Sequence, residues 1–464
     1  MSVAFTDGVE AIVTFVVDTA ISEEARQRAS IAVIDTCGVM LAGAGEPAAR
    51  IAQSLADEEG VGDCRVAGTS ISTSAALAAF ANGVAAHALD YDDMCFVSLA
   101  HPSCVLVPAI LAAGEIARAN ARTLLDAYVV GFEVECRLGV VMNPRHYHQR
   151  GWHCTSSIGT LGAAAAVARV LGLDSQATRH ALGIAASSAC GLKENMGSMV
   201  KPLHAGIAAR NGVMAVQLAK RGFTASPHAI DGPQGYLAAM DSEQSSLDGA
   251  VADLGTRWEI NETGVTVKLY PSCAATHPPL DALTAIVRRE RFTADQVATI
   301  DVEVDSLTPR LLIHPNPSTG LEAKFSMPFC AGAAVVFPRI GIDTFTPQSI
   351  RHADVQALMP HVALRANTMF DTAAPLSQAR VTVRLQDGRE WSEHADGARG
   401  YPGRLTELEL SAKFEDCAAR VLGQSDAKNA WHALTSWLAG DDGRDLRSLT
   451  AALVITEGSE TSDF

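Results

Sequence analysis

At 464 residues the chain is longer than one ordinary hydrophobic core supports, so two domains are expected. Hydrophobic residues at 48% against 19% charged exclude a disordered chain. A formal charge of -16 argues against nucleic acid as a partner, because phosphate binding needs clustered Lys and Arg, but it leaves room for a small anion held by a few local cations. The first residues, with Asp7 and Glu10 interrupting the apolar ones, read as an amphipathic helix and not as a signal peptide. No uninterrupted apolar run is long enough to cross a bilayer, so no membrane partner is expected. Ten scattered cysteines without a CxxC pair suit reduced thiols and a cytoplasmic location.

From about residue 5 to 255 the pattern is helix after helix. Segments 23–41, 73–88, 105–117 and 157–171 carry apolar residues at three- and four-residue spacing, and alanine runs such as 163–166 favour helices that approach closely. Gly, Pro and Asn punctuate them at Gly43, Gly45, Pro102, Asn143, Pro144 and Gly172. After about residue 262 the texture changes. Residues 297–304 alternate as a strand does, and 380–391 read as two strands joined through Asp387-Gly388, with helices at 279–289 and 323–336. After Pro402 the pattern returns to helix at 406–422 and 429–438, and the acidic tail beyond Ile455 is expected to fray. The fold class is therefore mainly α. A helical domain of 1–262 with 405–464 is expected, together with a smaller α+β domain of 263–404.

Four segments concentrate ionisable groups. Residues 82–103 hold Asp90, Asp92, Asp93 and His101, and residues 145–159 hold His146, His148, Arg150 and His153. Residues 197–210 place Lys201 and His204 at a helix entrance, and 267–278 contain Lys268 and His277. Taken singly, each has a bland reading: a structural histidine, an aspartate that caps a turn, a solvated lysine.

Together the segments say more. The strings AAHALDYDD…AHPS, GWH…GTLGAAAAVARVLGLD, KPLHAGIAARNG…QLAKRGFTA, KLYPSCAATHP and AKFSMPF, in that order, resemble the successive signature blocks of the MmgE/PrpD family. That family includes 2-methylcitrate dehydratase, cis-aconitate decarboxylase and iminodisuccinate epimerase. The resemblance implies a large all-helical domain made from both chain ends, a smaller α+β lid, and a homodimer. It implies a small anionic polycarboxylate substrate, with no cofactor and no metal. It places Asp90, His101, His153, Lys201 and His277 as the catalytic set, with Met94, His204, Lys268 and Phe329 on the substrate side.

The residue types suit proton transfer beside a carboxylate, which needs a base and nearby positive donors for the enediolate-like charge. His101 and His277 are expected as acid/base groups, Lys201 as the fixed cation, and Asp90 and His153 as their supports. Two positions depart from the dehydratase and decarboxylase pattern: Met94 stands where a Thr is usual, and Phe329 where a Tyr is. Loss of two hydroxyls tilts the expectation to epimerase chemistry, with the family's lyase chemistry as the alternative. A metal site built from His146, His148 and His153 and a non-catalytic family member are the rivals; GxGxxG and GxxxxGK[ST] loops are absent.

Overall fold

The computed structural model describes residues 8–373, 377–440 and 445–455; the tail beyond Ile455 lies outside them. The chain is mainly α and divides into two compact units, Met1–Thr266 with Thr406–Phe464, and Val267–Leu405.

In the first unit the alanine-rich sequence produces closely packed helices. Gly159–Leu171 buries its alanine run completely, and the 18 residues Cys154–Leu171, apolar enough to span a membrane, are 89% buried inside the protein as a core element. Helix Ala75–Ala88, capped by Ser74, crosses helix Val200–Lys220 at Gly83 and Gly206. A Cβ on Gly206 would lie 2.5 Å from the Phe80 carbonyl oxygen, and one on Gly83 would lie 2.9 Å from the Gly206 Cα. Backbones this close bring the C-terminal end of one helix, with His87, beside the N-terminal end of the other, with Lys201 and His204.

The helical pattern read as far as residue 255 stops sooner. Beyond Lys220 the chain runs mostly in turns, with single helical turns at Tyr236–Ala239 and Asp248–Val251. Gly222, Pro227, Gly232, Pro233 and Gly235 break the apolar periodicity there. Near the C-terminus, Thr406 and Glu409 form a capping box for Glu407–Leu438, which is broken into two helical stretches at Gly423, where φ is 79° and ψ 165°. This helix lies against Glu23–Gly43. The buried Lys413 ammonium pairs with Asp35 at 2.6 Å and donates to the Tyr91 carbonyl at 2.9 Å.

The second unit is built on a four-stranded sheet: β1 (Val297–Val304), β2 (Val362–Ala366), β3 (Ala379–Leu385) and β4 (Glu390–Ala395), in the order β2-β1-β3-β4. β3 and β4 form the hairpin expected around Asp387-Gly388, with Gly388 at φ 90°. β1 is antiparallel to β3, with Ile300 opposite Val383 and Val302 opposite Val381, and parallel to β2. Helix His277–Glu290 packs on β3 and β4. The single helix expected over 323–336 is two, Gly320–Ala323 and Met327–Val336, because Ser326 caps the second and Pro328 sits in its first turn.

Candidate active site

The site begins where helix Ala75–Ala88 ends. His87 is in its last turn, and Asp90 follows with φ 52°, a left-handed conformation uncommon for a residue with a Cβ. The turn it makes fans out three carboxylates. Lys413 secures the turn by its bond to the Tyr91 carbonyl and stands 4.1 Å over the Tyr91 ring.

Asp92 is the centre of the cluster. Its Oδ2 lies 2.7 Å from His87 Nδ1 and 3.2 Å from His101 Nδ1, the second contact poorly aligned for a hydrogen bond. Burial alone would raise the Asp92 carboxyl, but His87 and His101 beside it hold it well below the usual carboxylate range. Burial also pushes His87 down to about 4, against the pull of Asp92, so His87 is a neutral ring donating to an anion. Asp93 behaves oppositely: burial pushes its carboxyl well above the usual range although the Ser103 hydroxyl, itself 2.6 Å from the Tyr128 hydroxyl, donates to it.

Lys201 enters from the first turn of Val200–Lys220 and donates to Asp90 Oδ1 at 2.7 Å. A cation at a helix N-terminus opposes the helix dipole, and the Asp90 carboxylate offsets that cost. His101 Nε2 stands 4.0 Å from the same Asp90 oxygen, and its backbone N–H donates to Thr155 Oγ1 at 3.0 Å. His153 and His204 meet Nδ1 to Nδ1 at 3.0 Å, so one ring donates there and the other accepts. Burial, then the nearby His87, Lys201 and His101, keeps His153 well below its usual range; burial lowers His204 as well. The rings run on from one to the next, with His87 to His101 centroids 4.8 Å apart and His87 to His153 5.8 Å. One anchored ammonium, the Asp90 and Asp92 carboxylates and the neutral imidazoles of His87, His153 and His204 form a site able to exchange a proton.

Metal-ligating combinations are narrow. Among the described residues, two groups bring ligand atoms within 4.8 Å of one another: His87, Asp92 and Cys104, and Asp90, Asp92 and His101. In the second, the Lys201 ammonium already sits on Asp90 and opposes another cation. The trio His146, His148 and His153 is not such a group. His148 is exposed, and His146 is taken up by Ser157 Oγ at 2.7 Å and the Met240 carbonyl at 3.3 Å.

In the second unit, His277 opens helix His277–Glu290, is buried, and has Nε2 3.3 Å from the Ser272 carbonyl. Lys268 is 1% exposed. Phe329, expected on the substrate side, is fully buried in the hydrophobic core of this unit, 5.7 Å from the Phe345 ring, and packing accounts for it. Met94, in the first unit, is pinned by a two-way backbone bridge to Thr266 at 3.0 and 2.8 Å. Two members of the cluster were not singled out from the sequence, His87 as any candidate and Asp92 as the carboxylate that both rings face. The signal was present in HALDYD: a histidine in a last helical turn stands beside the acids that follow it.

The sequence pattern of the MmgE/PrpD N-terminal domain matches residues 10–247, and that of the MmgE/PrpD C-terminal domain matches 270–438. The chain belongs to the MmgE/PrpD family. The C-terminal pattern runs on through helix Glu407–Leu438, which is part of the helical unit. The chain is 27% identical over 446 residues to a cis-aconitate decarboxylase-like protein, oryM, of Aspergillus oryzae, covering 91% of this chain and 92% of that one. It is 29% identical over 360 residues to the cis-aconitate decarboxylase of Mus musculus, covering 74% and 72% respectively. It is 28% identical over 355 residues to that of Homo sapiens, covering 74% and 73%.

Proposed function

We propose that this chain is a lyase that decarboxylates a small unsaturated polycarboxylate of the cis-aconitate kind, using its own side chains and neither metal nor organic cofactor. The observation that carries the proton-transfer reading is the convergence of Lys201, Asp90 and His101 on the Asp92 turn. The names of the relatives favour a lyase over the epimerase expected from Met94 and Phe329. The Phe329 half of that expectation also weakens, because the ring belongs to a core.

In this reading Lys201 pairs with a substrate carboxylate. The C–C bond to the departing carboxylate breaks, and its electron pair spreads into the remaining conjugated carboxylate. His101 takes up a proton from solvent at Nε2 and delivers it to carbon, while His153 and His204 line the approach. His277 serves as a second proton-transfer group and Lys268 as a further cation, and the enzyme works as a cytoplasmic homodimer.

The test is an assay in deuterated water with cis-aconitate, citrate, 2-methylcitrate and iminodisuccinate, followed by mass spectrometry and NMR. Loss of carbon dioxide with one solvent deuterium in the product is expected from cis-aconitate. Deuterium gain without loss of carbon dioxide or water, from any of the four acids, would make it an epimerase; loss of water alone would make it a dehydratase.

A further inference from the structure

The side chains of His87 and Asp92 have 0% exposure, yet both are polar and meet each other. His146 is also buried, but both of its nitrogens have protein partners. His87 differs: Nδ1 meets Asp92 and, among the described residues, Nε2 has no hydrogen-bond partner. A buried ring with an unsatisfied nitrogen costs stability that a leucine at the same place would not. Its hydrogen bond is with the carboxylate that also faces His101.

A carboxylate only accepts hydrogen bonds, so a neutral imidazole that turns Nδ1 to it carries its proton there and leaves a lone pair on Nε2. His101 presents Nδ1 to Asp92 at 3.2 Å and Nε2 to the Asp90 side at 4.0 Å. The charged and titratable groups around it include Asp90, Asp92, Lys201, His87, His153 and Cys104, whose thiol donates to the His101 carbonyl at 3.2 Å, and of these Asp92 meets Nδ1.

We propose that His87 and Asp92 are positioning residues: His87 clamps the Asp92 carboxylate, and Asp92 fixes His101 as the Nδ1–H tautomer, so that Nε2 is the atom that exchanges the proton. This rests on the assignment of His101 as the acid/base group. Two neighbouring imidazoles face one carboxylate, His87 bonded to it at 2.7 Å and His101 in 3.2 Å contact off the line of a hydrogen bond, so loss of the His87 donor frees Asp92 to turn and releases the tautomer of His101.

The full chain labelled with nitrogen-15 histidine tests this directly. Long-range proton–nitrogen spectra at a pH high enough for neutral rings report the tautomer of each histidine, with His101→Gln and His87→Asn used for assignment. The Nδ1–H pattern is expected for both His87 and His101 in the wild type, and a mixture for His101 in Asp92→Asn and His87→Leu. An Nε2–H pattern for His101 in the wild type overturns the proposal, and that spectrum needs no variant to fold. So does an unchanged His101 pattern in a folded Asp92→Asn.

Kinetics with cis-aconitate supply the second readout. Asp92→Asn and His87→Leu are expected to lower kcat by about 10²- to 10⁴-fold with KM little changed, as losing a tautomer-setting carboxylate does elsewhere. His87→Asn, whose amide donates where Nδ1–H did, should recover much of the loss, and a recovery no better than that of His87→Leu contradicts the clamp. If no acid is turned over, the functional reading fails while the wild-type spectrum still decides the tautomer.

Discussion

The Lys201 ammonium donates to Asp90 Oδ1 at 2.7 Å, from the first turn of one helix to the turn that ends another. The cation stands at the end of a helix that disfavours it, beside an aspartate in left-handed backbone. Local cost of this kind at both members of a pair marks a site held for chemistry.

Lys201→Met is therefore expected to raise KM and lower kcat together, because the charge acts on the bound acid and on the transition state alike. A charged hydrogen bond of this kind corresponds to about 10- to 100-fold in kcat/KM. Steady-state kinetics with cis-aconitate measure it; an effect on neither constant removes Lys201 from the site.

Lys413 links the C-terminal helix to the site by its 2.6 Å pair with Asp35 and its bond to the Tyr91 carbonyl. Lys413→Met removes the ammonium from the buried Asp35 carboxylate, which costs about 3–5 kcal/mol. Urea unfolding should show that loss, and adding Asp35→Leu should restore part of it. Additive losses in the double variant would contradict the pairing.

Gly206→Ala places a methyl 2.5 Å from the Phe80 carbonyl oxygen. Overpacking of about 1–3 kcal/mol should outweigh the better helix propensity of alanine. The shift also separates His87 from Lys201, so thermal unfolding and turnover should fall together. A variant as stable as the wild type would show that the crossing has slack.

Burial drives His146 down to about 4 from 6.5. With its folded value depressed, the ring contributes stability that is present above the unfolded value and lost as the pH falls from about 6.5 to 4. The fall corresponds to on the order of 3 kcal/mol at most. His146→Gln, which does not titrate, should be less stable than the wild type near neutral pH, with the gap narrowing towards pH 4. Denaturation at several pH values measures the gap, and a constant gap contradicts the assignment.

Much of the fold was legible because its signals are local. The strand at β1, the hairpin at Asp387-Gly388 and most helices follow from periodicity and turn chemistry. β2 was not legible, because VALRA is short and only partly buried, and it becomes a strand by pairing with β1, far away in sequence. The Ser326 cap was overlooked within an apolar run that reads as continuous helix. At the site, Asp90, His101, His153, Lys201 and His204 carry the resemblance and lie in one cluster. His87 and the bridging role of Asp92 were hidden, because a loop has to fold back before a residue at 92 can serve rings at 87 and 101. Phe329, a motif position read as a substrate contact, is packed in the hydrophobic core of the smaller unit.

The central claim is tested most directly by carbon dioxide release from cis-aconitate in deuterated water, comparing wild type with His101→Gln. The wild type should release carbon dioxide and place one solvent deuterium on carbon. The variant, folded by circular dichroism, should be slower by about 10²- to 10⁴-fold. A folded His101→Gln that keeps near-full turnover would contradict the account, as would a wild type that exchanges deuterium into the acid without releasing carbon dioxide.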